Sequence, residues 1–449
     1  MRVIVSLAAA AAVAAPGLAG AQPAAATRPT GERVTLRLGG AVEMALGRSP
    51  DLAISEEGVE AARHRVTSMK RKRLPAVSVE SSVLYWDQAL ELSVAPGMSL
   101  TVRERTTTAS SATARLPLSP QLVLTHVIAV EKNGLRATEE DHAARRLEVA
   151  TNVASAYLGV LLARATNQIA QQRTQLVQAQ LERARTLKEG GVLGQVDVMR
   201  LEAALAAARR QAITSASEAE SAEDSLVLAI GLPEGMKIEL VDELPAQVSA
   251  APMSPDEAVR QAVRRRPELR AARARADQAR SGARVQMADL FPNVSALGTV
   301  QHNTGNGPFL PENAWFIGLQ LNWNLWDWGS TWHGYKAASH QADQASMAAD
   351  RMSAALRVEV RRSARQARAA YDALDVARAG LAAAEEAFRI QEARFQEGAT
   401  TTTELLQAET EVVEARVGYA NARHAYFLQL AALARATGQL PDALLPTGK

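Results

Sequence analysis

The strongest constraint on this chain is that it contains itself twice. Ala41, Val42, Ala45, Arg48, Pro50 and Leu52 recur as Ala258, Val259, Ala262, Arg265, Pro267 and Leu269, a constant offset of 217. The same offset carries Leu-Pro-Ala-Val-Ser at 74–78 onto Phe-Pro-Asn-Val-Ser at 291–295. Further along it settles at 207, where Gly191 falls on Gly398, Asp197 on Glu404, Glu202 on Glu409 and Gly231 on Gly438. A unit of roughly 200 residues is too long for a solenoid module and reads as one half-protein copied once. The halves are expected at 36–232 and 253–440, with a linker at 233–252 and a tail at 441–449.

The opening stretch has the layout of a secretory signal peptide over residues 1–21. Arg2 supplies the charged start, Val3 to Ala15 the apolar middle, and Ala19-Gly20-Ala21 the cleavage site. The alternative is an N-terminal membrane anchor, but the apolar run is short for a span. A polar lead-in with Pro23 and Pro29 is expected over 22–35. The chain has no cysteine, which excludes disulfides, thiolate metal sites and a lipid-modified cysteine. Its 50 basic and 48 acidic residues nearly cancel, so no nucleic-acid partner is expected.

Helices dominate the pattern. One is predicted over about 40–72, with Lys70, Arg71, Lys72 and Arg73 complementing the dipole at its C-terminal end. No proline occurs from 121 to 232 or from 312 to 440, and both spans are rich in strong helix formers. Glycines cut each span once, at Gly190-Gly191 and at Gly398, giving predicted helices 121–188, 196–229, 328–396 and 403–436. Val360, Ala364, Ala367, Tyr371, Leu374, Leu381, Phe388 and Phe395 form a heptad seam. A helix of this length reaches about 100 Å, far beyond a globular domain. Two shorter helices set end to end match it, so each half is expected to form a rod.

Between helices the period switches to two. Strands are predicted from Pro75, with Val77, Val79, Val83 and Tyr85 on one face, and at 106–118, 292–301 and 314–326, separated by polar loops at 87–105 and 303–313. In the last strand Trp315, Ile317, Leu319, Leu321, Trp323 and Leu325 alternate with Phe316, Gly318, Gln320, Asn322 and Asn324. An apolar face opposite a polar one is expected of a strand between lipid and water, with Trp315, Trp323 and Tyr85 as a lipid-facing aromatic girdle. Four strands cannot close a membrane barrel, so several chains must each contribute four. Two copies would give a narrow barrel filled by side chains; three would give twelve strands and room for a passage.

These pieces together resemble the outer-membrane efflux protein family, the TolC-like channel-tunnels. The likeness spans about 36 to 440 and rests on the repeated A-V-x-x-A…P-[DE]-L opening, the paired strand starts, Leu-Trp-Asp-Trp-Gly at 325–329, and the turns Gly191…Asp197 and Gly398…Glu404. The resemblance implies a homotrimer with a twelve-stranded β-barrel in outer-membrane lipid and a periplasmic tunnel of long helical hairpins. It implies a passive export duct that works with a periplasmic adaptor and an inner-membrane pump. The turns at Gly190, Gly191 and Gly398 would then lie at the periplasmic tip, with Asp197, Thr400, Glu404 and Gln407 as gate candidates. Glu404 preserves an acidic ring there, while the basic partner usual in the family is missing. The alternative is a secreted coiled-coil structural or adaptor protein with a soluble β cap. No enzyme or cofactor motif competes: the seven histidines are scattered and form neither H-E-x-x-H nor an i, i+4 pair.

Overall fold

The computed structural model describes residues 34–95, 97–233, 235–244, 251–308, 310–441 and 444; the side chains of 120–122 lie outside that description. The expected signal peptide therefore falls outside the described residues. The first half runs β1 (Val34–Leu36), α1 (Leu38–Arg48), α2 (Pro50–Arg71), β2 (Ala76–Tyr85), β3 (Leu90–Ala95), β4 (Met98–Arg103), β5 (Thr106–Pro117), α3 (Pro120–Glu189) and α4 (Gln195–Ile230). A short β6 (Ile238–Leu240) follows. The second half is α5 (Pro255–Arg265), α6 (Pro267–Ala288), β7 (Asn293–Thr304), β8 (Asn313–Asn322), α7 (Ser330–Gln396) and α8 (Thr402–Thr437).

The helix predicted over 40–72 is two helices. Ser49 precedes Pro50 and is extended (φ −62°, ψ 121°), because a proline ring excludes the helical conformation from the residue before it. Arg266 before Pro267 repeats the break with φ −65° and ψ 116°. Each break receives the end of a later helix. Gly231 closes α4 and Gly438 closes α8, both left-handed with φ 77°. A Cβ at Gly231 would sit 3.6 Å from the Arg48 Cβ, and one at Gly438 would sit 3.0 Å from the Arg265 carbonyl carbon. Thus α3 packs on α2 over its first part and on α4 over its last, while α7 packs on α6 and α5 and then on α8.

The main core lies where these ends meet. Leu36, Leu38, Val42, Tyr157, Leu158, Leu226, Ile230, Ile238, Tyr426 and Phe427 are buried together. The parallel pair β1–β6 closes its side. Tyr157 Oη lies 2.9 Å from Asp242 Oδ2 and 3.1 Å from the Leu36 carbonyl. The Leu38 amide donates to the same carboxylate oxygen at 2.8 Å, so Asp242 anchors the start of α1. Burial, reinforced by Asp242, pushes the Tyr157 hydroxyl well above its ordinary range.

Four strands form one antiparallel sheet in the order β2-β5-β7-β8. The two halves join through β5 and β7, which pair from Thr108↔Thr304 to Pro117↔Ser295. Register sets Val79, Ala112, Val300 and Trp315 in one row and Val77, Ala114, Gly298 and Ile317 in the next. The intervening rows are mostly polar: Ser78, Thr113, Thr299 and Phe316, then Glu80, Ser111, Gln301 and Ala314. Two sequence expectations change here. The predicted loop 87–105 holds the hairpin β3–β4, which pairs Leu92 with Leu100. The last strand stops at Asn322, not 326, because the Trp323 indole turns back to donate to the Leu290 carbonyl at 3.2 Å. Asp327 then caps α7, accepting from the Thr331 amide at 2.8 Å.

The helix-end junctions give a direct stability test. Gly438→Ala combines a left-handed backbone with a close contact and should cost about 1–2 kcal/mol. Gly58→Ala, inside α2 with open space around it, should instead stabilise by about 0.5–1 kcal/mol. Chemical denaturation of both variants reads the difference; equal effects would contradict the junction.

Candidate functional site: the tip of the helical hairpins

The two inter-helix turns lie side by side at one end of the rod. Gly191 (φ 77°) turns the chain between α3 and α4, and Gly398 (φ 71°) does so between α7 and α8. A Cβ at Gly398 would approach Val192 Cγ1 to 3.9 Å, so the turns touch. Gly190, the C-cap of α3, returns its amide to the Thr186 carbonyl at 3.1 Å. Below the core the α3–α4 pair is zipped by Val177, Leu181, Ala184, Val198, Leu201 and Leu205.

Both candidate carboxylates, Asp197 and Glu404, are bound up in their own turns. Asp197 Oδ2 accepts from the Gly194 amide at 3.3 Å, capping α4. Glu404 forms a full capping box with Thr401: the Thr401 amide donates to Glu404 Oε2 at 3.0 Å, and the Glu404 amide donates to Thr401 Oγ1 at 3.2 Å. Thr400 Oγ1 lies 2.5 Å from the same carboxylate oxygen and 3.2 Å from Gln391 Oε1. The Thr400 hydroxyl, then the Thr401 amide and hydroxyl, hold Glu404 below the ordinary carboxylate range, with a weaker pull from Arg394. Gln407 donates to Glu411 one turn along its own helix, at 3.1 Å. The four candidates thus share one end of the molecule, and the described contacts of Thr400, Glu404 and Gln407 lie within α7, α8 and the turn between them.

The contacts that cross between hairpins are made by residues the sequence reading passed over. Arg200 of α4 lies 3.6 Å from Asp197 and donates to Thr403 Oγ1 of α8 at 3.1 Å. Two turns up, Arg173 of α3 donates to Glu409 of α8 at 2.8 Å, and the Glu409 side chain is only 1% exposed. Burial pushes the Glu409 carboxyl above the ordinary range, against the pull of Arg173. Gln180 and Thr402, each two turns on from that pair, are also buried, and their side-chain polar atoms have no partner among the described residues. The overlooked signal was local. Glu409 stands between Leu405 and Val412, which places a charge inside an apolar helical stripe. Among the described residues no group of His, Asp and Glu could hold a metal ion.

At the other end, Trp315 and Tyr85 are about three-quarters exposed, and Trp323 about half. Trp315 tops the apolar rows and Trp323 lies just beneath them. Above Trp315 comes a polar row, Ser81, Ser110, His302 and Asn313, and Tyr85 lies beyond it.

Glu404 links its cap to pH. Its pKa is lower in the folded turn than in the unfolded chain, so its contribution is present above the ordinary carboxylate range. That contribution fades as pH falls through the lowered value. The protection of the 401–404 amides, measured against their intrinsic base-catalysed exchange rate at each pH, should fall only at acid pH. In Thr401→Ala exchange should be faster by about fivefold at neutral pH, the loss of one N-cap. Unchanged exchange in that variant would remove the capping box as the ordering device.

Comparison places this architecture. The family model for outer membrane efflux proteins matches residues 41–232 and 258–439. Among solved structures, the outer-membrane channel OprN aligns with TM-score 0.76 at 23% identity, over 90% of each chain. The outer membrane protein VceC of Vibrio cholerae aligns with TM-score 0.73 at 17% identity, over 90% of this chain and 96% of that one. The MtrE outer membrane channel of Neisseria gonorrhoeae, in its open state, gives 0.73 at 20% identity, over 90% of this chain and 89% of that one. No curated protein matches the sequence. With the duplicated match covering most of its length, the chain belongs to the outer membrane efflux protein family.

Proposed function

We propose that three copies of this chain form a passive export duct through the outer membrane. The observation that carries this is a four-stranded sheet with two unpaired edges and a bare apolar face. Edge strands β2 and β8 have no outer partner among the described residues. Val77, Val79, Trp315, Ile317 and Leu319 on the apolar face are 73–79% exposed. A soluble cap would fold something over such a face, and no described element covers it. Lipid satisfies the face, and pairing β8 of one copy with β2 of the next satisfies the edges. Three copies close a twelve-stranded barrel wide enough for a lumen lined by the polar rows. No helix among the described residues is long and apolar enough to cross a membrane, so crossing falls to the strands.

The helices then extend the duct into the periplasm, with the paired turns at its far end. The duct itself performs no chemistry. Transport is driven elsewhere, by an inner-membrane pump whose adaptor docks on the tips. Exposed Val192, Val196 and Met199 beside the first turn give that adaptor an apolar contact. Asp197, Thr400, Glu404 and Gln407 line the narrow end in this reading, their carboxylates held in place by the caps described above.

Leu319→Arg is the decisive substitution. At a lipid-facing position near mid-membrane it should cost about 2–4 kcal/mol per copy and abolish trimers in the outer-membrane fraction. Native mass analysis in detergent reads the outcome. A soluble, fully folded variant, or a parent protein that is monomeric outside the membrane, would sink the proposal.

A further inference from the structure

At the foot of the sheet, where strands give way to helices, one chain encloses a cleft of about 760 Å³. The start of α3, the end of α6, the start of β7 and the stretch after β8 form its sides. Val123, Met287, Phe291 and Pro292 make an apolar wall, in which Met287 stays 43% exposed and Phe291 62%. Opposite stand Asn293 and Asn322, paired across β7 and β8 on the polar face that also carries Thr299 and Gln301.

The charged groups of this cleft are not engaged with one another. On α6, Arg266, Arg270, Arg275 and Arg280 each hold a carboxylate. Arg284, the next turn along, holds none. The side chains of Asp289, which caps α6, and of His126 on α3 likewise have no hydrogen-bond or ion-pair partner among the described residues. An apolar wall with a few converging polar groups is the usual form of a small-molecule site.

The first half has the corresponding cleft, about 550 Å³, at the end of α2. At the offset of 217, Leu74-Pro75 stand for Phe291-Pro292, so the apolar wall is copied. The cations are not copied, yet they return. Arg284 falls on Thr67, while Arg71 and Lys72 of the first cleft fall on Ala288 and Asp289. The first cleft adds His64 and has no acid in its wall. A demand of the fold alone would repeat the residues. What repeats is basic side chains beside an apolar wall, supplied from different positions. An anionic group on an apolar body meets both demands, through charge-assisted hydrogen bonds and through the apolar area it takes out of water.

We propose that the cleft between α3 and α6 binds amphipathic organic anions, with Arg284 and the His126 ring taking the acidic group and Met287, Phe291 and Pro292 the apolar body. That the cleft opens into the lumen, so that its ligands are the exported molecules, rests on the trimeric reading above. The binding itself needs one chain only.

The chain has no cysteine, so Asn324→Cys places a single thiol in the cleft. Its reaction with a maleimide is timed in detergent-solubilised protein of known native mass, with naphthalene-2-sulfonate or inorganic sulfate added. Naphthalene-2-sulfonate should slow the reaction in proportion to its occupancy, and sulfate at the same concentration should not. Adding Arg284→Glu should raise the half-protecting concentration at least about tenfold, the loss of one charged hydrogen bond. Phe291→Ser should raise it about fivefold or more, through lost apolar contact. Arg273→Glu makes the same charge change at an exposed arginine of α6 outside the cleft. Eleven residues of helix put it about 16 Å away. Salt screens that distance, so the half-protecting concentration should stay within about twofold. No protection by naphthalene-2-sulfonate, whether the cleft is empty or filled by a lipid chain, overturns the proposal. Equal protection by sulfate, or an Arg273→Glu effect as large as that of Arg284→Glu, overturns it as well. A monomeric native mass with protection intact overturns the trimeric reading and leaves the site standing.

Discussion

Hydrocarbon offers a backbone N–H or C=O no partner, and the architecture of this chain follows from that limit. A sheet of four strands has two edges, and in lipid each unpaired edge group costs several kcal/mol. One chain cannot satisfy its own strands, so the fold is built to be incomplete alone. The same incompleteness appears in the helices. Long rods with an apolar seam along one side have no globular core to wrap around and must be packed side by side.

Duplication solves the geometry economically. Each half supplies two strands and a long hairpin, and β5 pairing with β7 lets one half continue the sheet of the other. The helix ends obey the same repeat. Arg48-Ser49-Pro50 and Arg265-Arg266-Pro267 break the short helices where Gly231 and Gly438 end the later ones. A left-handed glycine and a proline break, two local devices, thus make the two-helix end-to-end stack that runs beside each long helix.

The copies have diverged at the tip. There Arg173, Arg183 and Arg200 join the two hairpins of the chain, while the copied positions carry Gly380, Ile390 and Gln407. Buried charge fixes which surfaces belong together more sharply than apolar area does, because a wrong partner leaves it unpaired. Apolar contacts between small residues are more forgiving of small displacements.

Local, periodic features were legible without coordinates. Proline-free spans gave both long helices to within two residues at either end, since nothing interrupts their hydrogen bonding. Alternation located all four strands of the main sheet. The break at Ser49 was missed although Pro50 announces it, and the hairpin at Leu90–Arg103 was hidden because its strands are short and irregular. Trp323 looked like part of a strand by spacing alone, whereas its indole contact with Leu290 turns the chain. At the tip the sequence determined which residues would gather, through the glycine turns and the capping pattern Thr401…Glu404. Only the tertiary structure decided what they touch. Glu404 is absorbed by its own cap, and the latches come from Arg173, Arg183 and Arg200, whose partners lie more than two hundred residues away, as in Arg173–Glu409 and Arg200–Thr403. Periodicity encodes the face a residue presents to its own helix or strand; the identity of the element opposite is set by packing distant segments together, which no local pattern contains.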